Sequence, residues 1–332
     1  MENNNSFNFL RFIMANIIML AHLSELSESE ELAFLLSFCK SSLGVSGFFI
    51  ISGFLVAKSY SKSNDLKKYF IKRTKRIFPA YIFVLMFFVL VLSFFSVLGF
   101  TDFFLNIETY KYIFWNLLFL NFMQPCLPGV FVDNFNCAVN GSLWTMKIEE
   151  GFYIVLPLIF YLMYKLRKKN AVLVFIYIMS VLYTYVMLDV YNKPLLAKQL
   201  PGKLAYFVVG IFIYLNFNKF IIKKWLYLVL ALIVMMLEIS FVSVNVFFPL
   251  VFGTIILFLA YSVPFLNNFS KKSDYTYGIY LFHYPIIQIF AYLKLFDKIN
   301  PFVSSVSIII LVYFFAYISW HLIEKRFLNR TN

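Results

Sequence analysis

The sequence "NFLRFIMANIIMLAHLS" (residues 8–24) is long and apolar enough to cross a bilayer as a helix, yet it carries two strongly polar side chains. Arg11 lies near one end of the run and His22 near the other. Eleven residues make three helical turns plus about 20°, so both side chains lie on one face, about 16 Å apart along the axis. An arginine in hydrocarbon costs at least about 2.5 kcal/mol. We therefore predict a membrane helix whose two polar residues have a function.

The composition of the whole chain is that of a membrane protein. Of its 332 residues, 62% are hydrophobic and 14% are charged, whereas soluble domains average about 45–50% apolar and about 25% charged. Because a soluble globule could not hide this much apolar surface, we predict an all-α, polytopic integral membrane protein. The net charge of +13 also suits a nucleic-acid-binding protein, but lysine and arginine accumulate in the cytoplasmic loops of membrane proteins. We expect contact with membrane lipids and no nucleic acid.

Ten apolar runs are long enough to cross a bilayer if tilt and local thinning are allowed. They are residues 7–24, 43–60, 77–99, 143–164, 171–188, 203–217, 225–242, 245–263, 275–293 and 302–322. The loop between the second and third runs is rich in lysine and arginine, which marks it as cytoplasmic. On that alternation the basic segments 164–170, 218–224, 271–274 and 324–330 are also cytoplasmic, as are both termini.

An eleventh apolar run, "YKYIFWNLLFLNFM" (110–123), is too short to cross comfortably. If it did cross, the basic loop at 165–169 would move to the outer side, so we predict a re-entrant or interfacial helix there. The following loop, 124–142, contains Cys126 and Cys137, which could form a disulfide if the outer face is oxidising. We see no cleavable signal and expect one membrane-embedded domain, residues 1–332, with no appended soluble domain.

Several polar residues in or near the predicted spans have two interpretations each. Arg11 could extend to the inner headgroups or bind an anionic ligand, and His22 could make a packing hydrogen bond or take part in chemistry. Arg73 and Arg76, one turn apart where the third span begins, could contact lipid phosphates or clamp a diphosphate. The small residues of "GVSGFFIISGF" (44–54) favour close helix packing, or a backbone left accessible beside a ligand channel.

The acidic residues and the other two histidines also have more than one possible role. Glu149 and Glu150 lie about 9 Å below the start of the fourth span, where buried carboxylates usually mark a pathway or a catalytic site. The alternative for them is an internal salt bridge with Lys147. His283, in mid-span before Pro285, favours a packing role, and Glu324 lies one turn after His321 at an inner helix end. The histidines and cysteines have no metal-ligand spacing, so we expect no metal.

The ordered set of motifs resembles the acyltransferase family 3 integral membrane proteins. The matching segments are "LRFIMANIIMLAH", "GVSGFFIISGFL", "RTKRIFPAY", "GSLWTMKIEEGFY", "YGIYLFHYP" and "IEKRF". They extend over nearly the whole chain, although residues 165–270 contain no recognisable motif. The resemblance implies a multi-pass enzyme of the bacterial inner membrane. Such an enzyme moves an acyl group, usually acetyl, from cytoplasmic acyl-CoA to a hydroxyl of a surface or lipid-linked glycan such as O-antigen, lipopolysaccharide, capsule or exopolysaccharide.

The resemblance also implies roles for individual residues. Arg73 and Arg76 would hold the phosphates of acetyl-CoA, Arg11 would lie along the entry, and His22 would meet the thioester. His22 would act as a general base or form a transient acyl-imidazole, with Glu149 orienting it or stabilising its charge. Further candidates for substrate contact or structural support are Ser52, Trp144, Glu150, Tyr153, His283 and Glu324.

Two other classes of function fit the sequence. A transporter or flippase of a lipid-linked sugar would also be polytopic and basic, although transporters often contain internal repeats and we find none. A structural partner in a membrane assembly would tolerate alanine at Arg11, His22 and Arg76. The acceptor, the acyl chain and the oligomeric state are not encoded in any motif that we recognise.

Overall fold

The computed structural model describes residues 5–63, 65–241, 246–269 and 273–328, and within these the side chains of 239–241 are left out. The secondary structure of the described chain is helical apart from an isolated β-bridge between Cys126 and Ala138, which lies in a loop of turns and bends over 118–140. Of the basic residues assigned to the cytoplasmic side, Lys271, Lys272 and Arg330 lie outside the described residues.

A helix overlaps each of the ten predicted runs, although the helix of the third run, expected to reach 99, ends at Leu92, and residues 242–245 lie outside the described residues. We number them α1 (Phe7–Ser27), α2 (Ser41–Ser63), α3 (Leu66–Leu92), α4 (Trp144–Leu166), α5 (Lys169–Tyr185), α6 (Leu200–Leu215), α7 (Lys224–Phe241), α8 (Phe248–Ser262), α9 (Thr276–Tyr292) and α10 (Pro301–Ser319). The short predicted run at 110–123 is a helix over Ile107–Leu117. It starts earlier than expected because Asn106 Oδ1 caps its N-terminus by accepting a hydrogen bond from the backbone N–H of Glu108, and it ends six residues before the run does.

Short helical segments connect the long helices. The α-helical ones are Leu35–Phe38, Phe100–Leu105, Pro194–Ala197, Phe217–Ile222, Leu295–Lys298 and Lys325–Leu328. Four 3₁₀ segments are Glu30–Leu32, Ser93–Phe95, Gly141–Leu143 and Pro264–Asn268, and two π-helical turns are Val186–Val190 and Trp320–Glu324.

Six helical segments of the described chain are long and apolar enough to cross a membrane, by length and composition. They are Phe7–Ser27, Glu30–Ser63, Leu66–Phe95, Lys169–Val190, Pro194–Leu215 and Pro301–Leu328. The helix Phe248–Ser262 is apolar but shorter. The all-α prediction is confirmed, and the chain has the helices of a multi-pass membrane protein.

The chain forms two compact units. The first comprises the described parts of residues 1–11, 45–70 and 148–271, and the second those of 12–44, 71–147 and 272–332. The divisions fall within α1, α2, α3 and α4, so that Arg11 and Glu149 belong to the first unit whereas His22 and Trp144 belong to the second.

In the first unit, glycines bring the backbones of α2 and α6 into contact. A Cβ atom on Gly53 would stand 2.0 Å from the Phe207 carbonyl oxygen, and one on Gly210 would stand 2.2 Å from that of Ile50. Phe152 of α4 stacks on Phe207 with ring centroids 4.3 Å apart. Small residues thus allow the close helix approach that stabilises packing in lipid, where the hydrophobic effect between helices is weak. This packing accounts for Gly53 in the glycine-rich stretch of α2.

In the second unit, α9 is the central helix. His283 and Gln288 are fully buried, and Gly278 packs directly on Ala316 of α10, where a Cβ atom would stand 2.7 Å from the Ala316 Cα. The same helix also contacts α3: the Tyr277 hydroxyl donates a hydrogen bond to the Ile77 carbonyl oxygen at 3.1 Å. These contacts fix the position of the polar residues that α9 carries.

Candidate functional site

Two histidines from distant parts of the sequence meet in the second unit. Nδ1 of His22, on α1, lies 2.9 Å from Nε2 of His283, on α9. The two rings are parallel, with an interplanar angle of 1° and centroids 5.2 Å apart. His283 is fully buried and His22 is half-buried. The partner of His22 in this unit is therefore another imidazole.

The backbone of α9 determines which nitrogens carry protons. His283 Nδ1 lies 3.1 Å from the Ile279 carbonyl oxygen, and a carbonyl oxygen can only accept, so Nδ1 carries the hydrogen. In the neutral ring Nε2 is then an acceptor, and His22 Nδ1 must donate to it. His22 Nε2 is left with its lone pair, and no hydrogen bond to it occurs within the described part of the chain. An imidazole nitrogen in this state is suited to act as a base or nucleophile.

The loop 124–142, which the sequence predicts to lie outside the membrane, contacts α9 close to His283. Cys126 and Cys137 are joined by a disulfide with Cα atoms 5.3 Å apart, so the disulfide that the sequence left open is formed in the structure. Gln288 Nε2 donates to the carbonyl oxygens of Asn136 and Ala138, each at 2.8 Å. Because Gln288 follows His283 by little more than one helical turn on α9, the disulfide-closed loop is attached to the element that carries the histidine.

Tyr284 connects this loop with His22. Its ring lies edge-on to the His22 ring, with centroids 5.2 Å apart and an interplanar angle of 77°. Its hydroxyl lies 3.1 Å from Asn136 Nδ2 and 3.3 Å from Asn136 Oδ1. Gly141 is required here because a Cβ atom would stand 2.6 Å from the Tyr284 hydroxyl. The loop thus packs against the residues around His22.

The two arginines predicted to bind phosphate lie on α3. Arg76 Nη2 is 3.1 Å from Asp274 Oδ2, just before α9, and both side chains are largely buried. An exposed ion pair contributes little to stability, but this one is shielded and orients a guanidinium. Arg73 lies one turn earlier on the same helix face. The sequence did not single out Asp274, which precedes the "YGIYLFHYP" motif by only a few residues.

The second unit contains two more of the predicted residues. Glu324 is buried and accepts a hydrogen bond of 2.9 Å from the Ser319 hydroxyl, across the π-helical turn Trp320–Glu324. Trp144 begins α4, next to the short 3₁₀ turn that Asn140 caps. Both residues thus lie at helix ends.

Five predicted residues belong to the first unit. Tyr153 donates a hydrogen bond from its hydroxyl to Glu149 Oε1, one turn earlier on α4, and its carbonyl oxygen accepts one of 3.0 Å from the Tyr69 hydroxyl. Glu150 is half-buried, with Oε1 shielded from solvent. The Ser52 hydroxyl is buried and has no hydrogen-bond partner among the described residues. Arg11 lies in the first turns of α1.

The structure contains no group of three or more His, Cys, Asp or Glu side chains that could hold a metal ion, within the residues that it describes. The side chains around His22 are instead the imidazole of His283 and the phenol of Tyr284, which is hydrogen-bonded to the amide of Asn136. This arrangement suits proton transfer at His22 Nε2. Sequence reasoning proposed His22 but not its direct contact with His283, nor the roles of Tyr284, Asn136 and Gln288.

Comparison with known proteins agrees with the motifs. The acyltransferase domain family matches residues 4–321. The chain is 27% identical to nodulation protein 10 of Rhizobium leguminosarum bv. viciae, covering 85% of this chain and 82% of that protein. It is 25% identical to the O-acetyl transferase of Shigella phage Sf6, covering 100% and 98%. It is also 26% identical to a putative O-acetyltransferase of Staphylococcus aureus, covering 86% of this chain but 52% of the relative.

No solved structure matches the chain significantly. The family match extends over nearly all of the sequence and includes both histidines of the pair and both arginines of α3. The chain therefore belongs to acyltransferase family 3.

Proposed function

We propose that this protein is a membrane O-acyltransferase that moves an acetyl group from cytoplasmic acetyl-CoA to a sugar hydroxyl of a cell-surface glycan. The observation that carries the proposal is the hydrogen-bond chain from the Ile279 carbonyl oxygen through His283 to His22, which leaves His22 Nε2 able to accept a proton. Membership of an acyltransferase family and the names of two relatives support acyl transfer as the reaction.

His22 alone can carry the proton during acetyl transfer. Nε2 takes the proton of the acceptor hydroxyl while its oxygen attacks the thioester carbonyl carbon. The carbon–sulfur bond breaks as the ester bond forms, and the CoA thiolate takes the proton from the imidazolium. In the covalent variant, Nε2 attacks the thioester first and the CoA thiolate leaves; the sugar oxygen then attacks the acyl carbon, the bond from this carbon to Nε2 breaks, and the thiolate takes up the hydroxyl proton. Either route uses the same lone pair.

Acetyl-CoA carries its negatively charged phosphates at one end, and the arginines would bind that end. Arg76, oriented by Asp274, and Arg73 one turn away would bind the CoA phosphates, because guanidinium groups offer paired donors to phosphate oxygens. Arg11 would contact the donor along its entry path. Glu149 would supply a carboxylate to proton transfer or to the charge on His22, a role that rests on the family resemblance.

The proposal includes a topology and a location. We assign ten membrane-crossing helices, α1 to α10, with both termini in the cytoplasm and the helix Ile107–Leu117 at the outer surface. The protein would be one membrane-embedded domain of a bacterial inner membrane. The basic residues at 58–76 and 165–169 support this orientation. Cysteine-accessibility labelling at 62 and 133 in intact cells tests it, because only position 133 should react.

Acetyl transfer by purified protein is the direct test. Protein in detergent is incubated with radiolabelled acetyl-CoA and the surface polysaccharide of a strain that lacks the gene, and label in the polysaccharide is counted. We expect transfer by the wild type, its loss in His22→Ala, and retained CoA binding in that variant. If the wild type transfers no label and His22→Ala leaves the cellular phenotype intact, a transporter or flippase of a lipid-linked sugar becomes the better assignment.

A further inference from the structure

A group of polar side chains surrounds His22 on the side of the outer loop and has no role in the proton chain. Glu25 lies three residues after His22 on α1, so the two side chains are neighbours on the helix surface. Its side chain is exposed. The Tyr284 ring lies edge-on to the His22 ring, and the Tyr284 hydroxyl contacts both amide atoms of Asn136. The Glu25 carboxylate and the Tyr284 phenol are thus neighbours of His22, and the Asn136 amide is bound to the phenol.

The loop that supplies Asn136 is held rigidly. Gln288 binds its backbone at two carbonyl oxygens, and Asn134 Nδ2 donates to both the carbonyl oxygen and Oε1 of Gln288 at 2.9 Å. The Cys126–Cys137 disulfide closes the loop. Asn136 itself is half-buried, so its side chain is fixed in position but remains at the surface. Groups fixed in this way can orient a ligand at little entropic cost.

We propose that Glu25, Asn136 and Tyr284 form the acceptor subsite, which binds a neutral sugar residue and presents one of its hydroxyls to His22 Nε2. The proposal deepens the proposed function and rests on it. Hydroxyl groups next to the reacting one would donate hydrogen bonds to the Glu25 carboxylate and exchange them with the Asn136 amide. The negative charge of Glu25 disfavours a uronate, a sialate or a phosphate at this position, so the subsite selects an uncharged sugar.

Steady-state kinetics of Glu25→Gln test the subsite, with the unacetylated polysaccharide of a strain lacking the gene as the acceptor. We expect the KM for this acceptor to rise about tenfold, since a hydrogen bond to a charged group is lost. The KM for acetyl-CoA should stay unchanged. Glu31→Gln, another exposed acid in the segment after α1, is the matched control and should leave both KM values unchanged.

The outcomes separate this subsite from the proposed function. Wild-type protein that consumes no acetyl-CoA would overturn the proposed function and the subsite with it. Wild-type transfer with an unchanged acceptor KM in Glu25→Gln, or an equal rise in both KM values, would overturn the subsite alone. NMR of the acetylated polysaccharide gives a second measurement: we expect the O-acetyl group on a neutral sugar, and O-acetylation of a uronic or sialic acid contradicts the assignment.

Discussion

Replacing His283 tests the proton chain directly, because this residue acts on the reaction only through His22. Leucine at this position removes the acceptor of the His22 Nδ1–H group, which lies 2.9 Å from His283 Nε2. A buried donor left without a partner costs about 1–3 kcal/mol. The ring of His22 can avoid that cost by turning or by moving its proton to Nε2, and either change removes the lone pair from the reacting position. Since about 1.4 kcal/mol is a factor of ten in rate, we expect kcat to fall about 10- to 100-fold.

The comparison of His283→Leu with His283→Gln makes the prediction specific. The glutamine amide oxygen can accept the His22 Nδ1–H bond, so we expect this variant to keep kcat within a few-fold of the wild type. Both variants should leave the KM for acetyl-CoA and for the acceptor nearly unchanged, because the residue touches neither ligand. The assay is initial-rate transfer from radiolabelled acetyl-CoA, with size-exclusion profiles in detergent to show that each variant is folded. Equal kcat values for the two variants, or a leucine variant as fast as the wild type, would refute the tautomer argument.

Three further predictions concern the donor end, the first unit and the loop. Arg76→Ala should raise the KM for acetyl-CoA at least about tenfold and leave the acceptor KM unchanged, because a charge-assisted phosphate contact is lost. Gly53→Ala should lower stability in detergent by about 1–3 kcal/mol, measured as a drop in melting temperature, since its Cβ would stand 2.0 Å from the Phe207 carbonyl oxygen. Replacing both Cys126 and Cys137 by serine should slow transfer, and a thiol reductant should slow the wild type to the same rate without affecting the double variant.

The helices could be predicted from sequence because the signal is local. Each of the ten apolar runs became a helix, since a backbone in hydrocarbon must satisfy its own hydrogen bonds within the segment. Boundaries were less predictable. The third run was expected to begin at 77, but α3 begins at Leu66 and includes Arg73 and Arg76 within the helix. The basic residues of 66–76 lower the hydropathy of that segment, so the apolar run marked only the later part of the helix.

The partners of the site residues could not be predicted in the same way. His22 and His283 are separated by 261 positions, and Arg76 and Asp274 by 198. No periodicity or spacing in one sequence indicates which polar residue of one helix will meet which residue of another. The sequence pointed to His22 but not to its contact with His283, whose own proton is directed by the Ile279 carbonyl oxygen.

The sequence by itself determined that the protein is helical and membrane-embedded, which residues are polar within its spans, and the family to which it belongs. These properties follow from local hydropathy, from charge and from ordered motifs. Only the tertiary structure decided that His22 keeps Nε2 unprotonated, that Arg76 is oriented by Asp274, and that the disulfide loop brings Asn136 to Tyr284 beside His22. The physical reason is that hydrogen bonding is directional and short-ranged, so the state of each polar group depends on neighbours that only the packing of distant helices supplies.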